Sequence, residues 1–460
     1  MTDGNRSKWL GLLLGLIILG VAGGVRGWYV LHGTEPNAAD VWHVQSATMM
    51  PEGKQTEVDA LVESLKANGP VHGFKGKAPL GNENEVTAHI APGYPLFRYA
   101  LEQHLAGWVG FSEKPQQLTR WVQVGMGALT ALLYYMTARR AFASLIVGLL
   151  TGAATALYPY WVINCAEMRD GTLATFLVAC SLFLGVQAGL QGGALTSLLL
   201  GLSLALAALT RGALLPFAVV MLMWFMLRSR RLPQGWLCAL VAFFGFVCGL
   251  SSWVVRCYQD LGEPVPIVTT AWYEIWVGNN AKATGGPADE AMLEQFSAER
   301  RKELAGLPQA KRYAALSTDV YHFAMEQPFK KLQSRAKACL YFFLGSTEPR
   351  RANLMDYSGA GVAPDAWVTN MLGGVLIGLF ILALLGWRWS YGWKYRAQPI
   401  AIAIFWIALP YLLTHAETLH GPRLPMDGAL ICLAALAVAS LIPGIGGKLF
   451  AGEAATFEKA

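Results

Sequence analysis

Apolar runs of membrane-spanning length recur along most of this chain, and they restrict its fold more than any other feature. They fall at about residues 10–25, 121–138, 141–163, 171–190, 195–209, 213–227, 237–255, 367–386, 399–413 and 424–442. Most approach the roughly 20 residues that a helix needs to cross the hydrocarbon core of a bilayer. Backbone polar groups inside lipid must be satisfied within the segment, so such runs predict helices. Only 14% of the residues are charged and 54% are hydrophobic, against roughly 25% charged in soluble domains. The expected fold is an α-helical polytopic membrane protein with about ten to eleven transmembrane helices.

The charge distribution sets the expected topology. The net charge is +6, but the basic residues sit in short clusters between apolar runs, as topology signals do, so no nucleic-acid partner is expected. Arg6 and Lys8 precede the first run, and Arg26, Trp28 and Tyr29 read as an interfacial anchor after it. No small-residue cleavage site follows, so an uncleaved span with a cytoplasmic N-terminus is expected. Arg139-Arg140, Arg228-Ser229-Arg230-Arg231 and the stretch from Arg388 to Arg396 fall on that same side if every span crosses. The chain then divides into a first span (1–31), a first periplasmic or exoplasmic loop (32–120), a bundle (121–256), a second such loop (257–366), a C-terminal bundle (367–445) and a cytoplasmic tail (446–460). The location implied is the inner, or plasma, membrane. Of the seven cysteines, Cys180, Cys238, Cys248 and Cys432 lie inside apolar runs, and no disulfide framework is visible.

Both long loops are too large for connectors within a bundle. In the second, residues 289–304, 309–326 and 329–344 read as helices set off by Pro308 and Pro328. The last is basic and amphipathic, with Lys330, Lys331, Arg335 and Lys337 against Leu332, Leu340 and Phe343, and suits lipid head groups. Turn residues at Gly262, Pro264 and Pro266 precede a β-prone run at 265–277, then Gly278-Asn279-Asn280.

Charged groups near membrane depth are expensive, so Glu167, Arg169, Asp170, Arg211, Arg256, Glu417 and Arg423 are informative because topology gathers them on one face. Taken singly, an arginine here is also a snorkelling anchor. In the first loop Glu57 and Asp59 open a helical pattern, where the helix dipole favours carboxylates whatever their function. Either suits a general base that takes a proton from an attacking hydroxyl or amine. His89 beside Ala91-Pro92-Gly93-Tyr94-Pro95 is a candidate phosphate partner, although a lone histidine is more often merely polar surface. No P-loop, HExxH, GxSxG or metal-ligand spacing occurs, and no divalent metal is implied.

In order along the chain stand Glu57-Val58-Asp59 with Glu63-Ser64-Leu65; Ala91 to Phe97; Glu167 opening a span; Leu209-Thr210-Arg211 with Leu215-Pro216; Trp253-Val254-Val255-Arg256; Gly278-Asn279-Asn280; and Arg423-Leu424-Pro425. Together these resemble the glycosyltransferase C superfamily, in the bacterial branch of protein O-mannosyltransferases and lipid A aminoarabinose transferases. The resemblance implies transfer of a sugar from a polyprenyl-phosphate donor to a glycan, lipid or protein acceptor, without a cofactor. It implies an acidic base in the first loop: Glu57 first, Asp59 second, with Asp40 a further alternative. Arg211, Arg256 and Arg423, with His89 and Glu167, would then bind the substrate or lipid phosphate, and Gly278, Asn279 and Asn280 form a loop motif. The chain departs from the family pattern at Lys54, where a leading Asp is usual, at Val58, where Tyr is common, and at Gly421-Pro422, where Arg-Tyr is usual. The rival expectations are a transporter or flippase of a lipid-linked sugar and a non-catalytic membrane protein of the same fold. The clean apolar runs, with the polar mass in the loops, weigh against a transporter.

Overall fold

The computed structural model describes residues 3–32, 52–76, 78–81, 85–283, 285, 296–344, 366–390, 394–414 and 423–444. The chain begins with α1 (Asp3–His32). A first cap segment follows: α2 (Glu52–His72), a short antiparallel pair β1 (Lys75–Gly76) and β2 (Glu85–Val86), and α3 (Gly93–Tyr99), which continues as a π-helical turn at Ala100–Leu105. Next come α4 (Pro115–Ala141), α5 (Leu145–Leu157), α6 (Pro159–Asn164), α7 (Gly171–Gln191), α8 (Ala194–Thr210), a 3-10 turn at Gly212–Leu214, α9 (Leu215–Ser229) and α10 (Gly235–Leu261). A second cap segment holds α11 (Ala271–Gly278), α12 (Ala298–Ala305), α13 (Gln309–Ala314), α14 (Leu316–Glu326) and α15 (Pro328–Leu344). Helices α16 (Ala366–Ser390), α17 (Lys394–Leu413) and α18 (Leu424–Leu441) close the bundle.

Among the described residues six helices are long and apolar enough to cross a membrane: Trp9–His32, Gly171–Gln191, Gly212–Ser229, Gly235–Leu261, Tyr395–Leu413 and Leu424–Leu441. Shorter apolar helices, Leu145–Leu157, Ala194–Thr210 and Gly374–Ser390, lie among them. This is a helical protein of multi-pass membrane character. Helix α18 is almost wholly enclosed, against α16, α5, α7 and α17, whereas α1 packs on α4 and α5 at the edge. Small residues let α8 and α10 meet backbone to backbone. A Cβ on Gly201 would fall 2.0 Å from the Ala242 carbonyl oxygen, and one on Gly245 2.7 Å from that of Leu198. Without a hydrophobic drive between helices in lipid, such close approach is the main source of their attraction.

The structure departs from sequence expectation at three places. The run at 141–163 is not one helix: Tyr158 is extended and Pro159 starts α6. Proline cannot donate, so the last carbonyls of α5 need other partners. Arg26 supplies them, donating to the carbonyls of Ala156 at 2.8 Å and Thr155 at 3.1 Å, and it is fully buried there instead of anchoring at an interface. Second, the β-prone run at 265–277 is irregular, with bends and a turn, as far as Thr270 and becomes helix α11 from Ala271, because Trp276 and Val277 pack with Leu304, Tyr313 and Leu316 in a separate apolar cluster. Tertiary packing overrides the local preference of its aromatic and β-branched residues. Third, 309–326 divides into α13 and α14. Of the helix expected at 289–304, residues 289–295 lie outside the described residues.

The two cap segments are one folded unit. Gln309 accepts from the Ala88 amide at 2.9 Å and from the Thr269 hydroxyl at 3.1 Å, and donates to Glu85 and Thr87, each at 3.1 Å. Arg312 forks onto both oxygens of Glu85 at 2.8 and 3.0 Å, and the Thr269 amide donates to Ala88. Helix ends distant in sequence thus meet beneath a single cover.

Candidate functional site

A cavity of about 650 Å³ lies beneath that cover, where helix ends converge. Val58 of α2 and the stretch from His89 to Pro95 line it from the first cap segment; Pro266 to Ile275 line it from the second. The bundle contributes Asn164, Met168 to Gly171 before α7, Thr210 to Pro216 between α8 and α9, and Leu409 to Thr414 at the end of α17. Its walls are mostly apolar, with Leu, Ile, Val, Pro and Ala prominent, and His89, Arg169, Asp170, Arg211, Thr270 and Glu274 are among the polar groups that line it. Apolar walls with a few converging polar groups are the usual makeup of a small-molecule site.

Arg211 and Asp170 form a forked ion pair, Nε to Oδ2 at 2.7 Å and Nη2 to Oδ1 at 2.8 Å. Asp170 caps the start of α7 and Arg211 the end of α8, so each charge opposes the dipole of its own helix end. Sequence reasoning selected Arg211 but left Asp170 out of the binding set; the signal was that both stand at span ends on one expected face. Glu274 was also missed as a site residue. It lay within the run taken as strand, whereas the helix that forms puts it in the first turn of α11, on the cavity wall.

Glu167 stands one layer behind. It is buried, takes a hydrogen bond from Asn164 Nδ2 at 3.4 Å, and lies 3.8 Å from Arg169 Nε, while Asn164 and Arg169 themselves line the cavity. Burial pushes its carboxyl above the usual carboxylate range, and Arg169 offsets this only in part. Its Oε1 has no hydrogen-bond partner among the described residues. His89 lines the cavity with its Nδ1 against the Thr87 hydroxyl, and its carbonyl accepts from Thr270 at 3.2 Å.

The other expected phosphate partners are engaged elsewhere. Arg256 is outside the cavity lining. It donates to the Thr87 carbonyl at 3.1 Å and the Phe74 carbonyl at 3.4 Å, pairs with Asp260 at 2.9 Å, and stacks over Phe74 and Trp253. It is a strut between α10 and the first cap segment. Arg423 is likewise outside the lining and buried at the start of α18, bound to Asp427 Oδ1 at 2.6 Å and to the Phe343 carbonyl. Asp427 in turn accepts from the Tyr158 hydroxyl at 2.7 Å, which ties α18 to the break between α5 and α6.

Asp59 does not line the cavity; it pairs with Arg98, whose Nε also bonds the buried Glu102 at 2.9 Å. Lys66 completes the cluster at 3.0 Å from Glu102, fixing the rotation of α2 that presents Val58 to the cavity. Glu57 immediately precedes Val58 in α2; its side chain lies outside the described residues, as does Asp40.

Gly278, Asn279 and Asn280 hold a wall in place. Asn279 Nδ2 donates to the carbonyls of Ile275 at 2.7 Å and Leu413 at 2.8 Å; Asn280 Nδ2 donates to those of Val277 at 2.9 Å and Trp276 at 3.0 Å. A Cβ on Gly278 would fall 1.7 Å from the Thr414 carbonyl oxygen. From α15, Arg335 donates to the carbonyls of Leu412, Thr414 and Gly278, clasping α11 to the end of α17. Burial brings its guanidinium down to about 10, so it keeps its charge at neutral pH.

The basic clusters gather at the far end of the bundle. Arg228 bonds the Gly189 carbonyl near the end of α7 at 3.0 Å and stacks 3.8 Å over Tyr395 near the start of α17, whereas the cavity takes the start of α7 and the end of α17. Among the described residues no three His, Cys, Asp or Glu side chains group as a metal site would require. No protein-family model matches this chain, and no curated protein matches it.

Proposed function

We propose that this chain is a membrane glycosyltransferase that moves a sugar from a polyprenyl-phosphate donor to an acceptor on the exoplasmic face. The observation that carries it is the cavity itself: apolar at its walls, charged where Arg169, Asp170 and Arg211 meet, and closed by a cap rooted in two long loops. A lipid-phosphate sugar needs that combination, an apolar path for the prenyl chain beside cations for the phosphate. The basic clusters at the opposite end from the cavity support a cytoplasmic N-terminus with the cavity facing outward.

In the reaction a base takes the proton of an acceptor hydroxyl or amine. The freed lone pair bonds to the anomeric carbon as the bond from that carbon to phosphate oxygen breaks, and polyprenyl phosphate leaves with the electron pair. Arg211, its fork held by Asp170, and Arg169 are the cations on the cavity wall suited to the growing phosphate charge. We assign the base to Glu57, because Val58 beside it lines the cavity whereas Asp59 is committed to Arg98. Glu274, which lines the cavity from α11, is the second candidate. Arg256 and Arg423 act through the framework and not on phosphate.

Mass spectrometry of lipid copurifying with the protein tests donor class. Polyprenyl-phosphate species retained by the wild type and depleted in Arg211→Ala are expected; their absence from the wild type contradicts the proposal. Counterflow of a lipid-linked sugar in proteoliposomes without an acceptor would instead favour a transporter.

A further inference from the structure

Helix α15 leaves one face uncovered. Phe329 is 86% exposed, Leu332 68% and Leu340 56%, and their spacing places them on one stripe of the helix. The opposite face is committed: Ser334, Ala338 and Phe342 are buried, and Arg335 holds the carbonyls of Leu412 and Thr414. The sequence pattern grouped Arg335 and Phe343 with the lipid-directed residues; both turn out to face the bundle, Phe343 against Phe380. What remains outward is a narrower stripe with Lys337 and Lys330 along its flank, the exposed Lys330 ammonium also donating to the Ala281 carbonyl, on a helix that carries no acidic residue.

The position of the helix says what covers the stripe. Its C-terminal end rests on the apolar helices, with Phe342 stacked on Tyr411 near the end of α17 and Phe343 tilted against Phe380 of α16. The stripe therefore runs on from the end of α17, a helix long and apolar enough to cross a membrane. Lipid there meets a partner of fitting chemistry on both counts, apolar side chains below and ammonium groups above.

We propose that α15 is a docking surface for anionic phospholipid, with Phe329, Leu332 and Leu340 in the acyl boundary and Lys330 and Lys337 on lipid phosphates. Through Arg335 the same helix clasps α11 and the end of α17, so the docked lipid supports a wall of the cavity. This stands whether or not the protein transfers sugar.

The test uses the full chain in nanodiscs of phosphatidylcholine, with and without phosphatidylglycerol, with Cys248 and Cys339 replaced by Ser. Nitroxides introduced through Phe329→Cys and Leu332→Cys should be more accessible to oxygen than to aqueous nickel, and more so when phosphatidylglycerol is present. Phosphatidylglycerol retained in native mass spectrometry should fall several-fold in a Lys330→Glu, Lys337→Glu protein that keeps its unfolding temperature. Nitroxides open to nickel in both nanodiscs would overturn the proposal. So would nitroxides shielded from both reagents, since a protein partner or second copy would then cover the stripe, and so would phosphatidylglycerol retention unchanged by charge reversal.

Discussion

The guanidinium of Arg211 grips both carboxylate oxygens of Asp170, at 2.7 and 2.8 Å, across 41 positions of sequence and between the ends of two apolar helices. The pair is mostly shielded from water, so removing one partner leaves a charge uncompensated. Asp170→Ala should cost about 3 kcal/mol of stability. A double-mutant cycle with Arg211→Ala, followed by thermal unfolding in detergent, should return a coupling above about 1 kcal/mol. Additive losses would mean that the pair is incidental.

Arg256 should behave as a strut. Arg256→Gln strands the carbonyls of Phe74 and Thr87 and the carboxylate of Asp260, at a cost of about 2–4 kcal/mol. The unfolding temperature should drop while the KM for donor stays within about twofold, less than 0.5 kcal/mol of binding. A large rise in KM with unchanged stability would return Arg256 to the phosphate.

Gly278 admits no side chain against Thr414, so Gly278→Ala should lose about 1–3 kcal/mol through overpacking. Asn279→Ala should lose a similar amount, about 1–3 kcal/mol, by leaving the carbonyls of Ile275 and Leu413 without their donor. Limited proteolysis of the second cap segment should quicken in both. A protease pattern like wild type, with altered sugar selectivity, would show Asn279 to be a ligand instead.

Glu167 gives a pH dependence of known sign. Its folded carboxyl titrates above its unfolded value, so the folded state holds the proton more tightly. The stability linked to it is complete below the unfolded pKa and is lost as pH rises through the folded pKa. Glu167→Gln removes that loss, so the difference in unfolding temperature, variant minus wild type, should rise with pH across the acidic to neutral range. A flat difference would mean that the carboxyl titrates normally.

The bundle was legible from sequence because its signal is long and redundant: each apolar run carries many residues, and the basic clusters repeat the same information. The site was less so, because an arginine at a span end looks the same in sequence whichever way its fork turns. Arg211 and Arg256 both stand at helix ends on one expected face, yet one lines the cavity and the other bonds cap carbonyls. Only packing across long sequence separations decides between them. Glu274 was hidden for a different reason, since aromatic and β-branched neighbours favoured a strand that the cluster around Tyr313 does not allow. Asn279 and Asn280 read in sequence only as part of a loop motif, whereas in the fold their amides go to backbone carbonyls.

The most direct test is sugar transfer by purified protein in nanodiscs, from a defined polyprenyl-phosphate sugar, followed as release of polyprenyl phosphate in wild type, Glu57→Gln and Asp59→Asn. The expected result is release by the wild type, a fall of about 100-fold or more in Glu57→Gln, and a much smaller change in Asp59→Asn. No release by a folded wild type that retains its donor, or full activity in Glu57→Gln, would contradict the account.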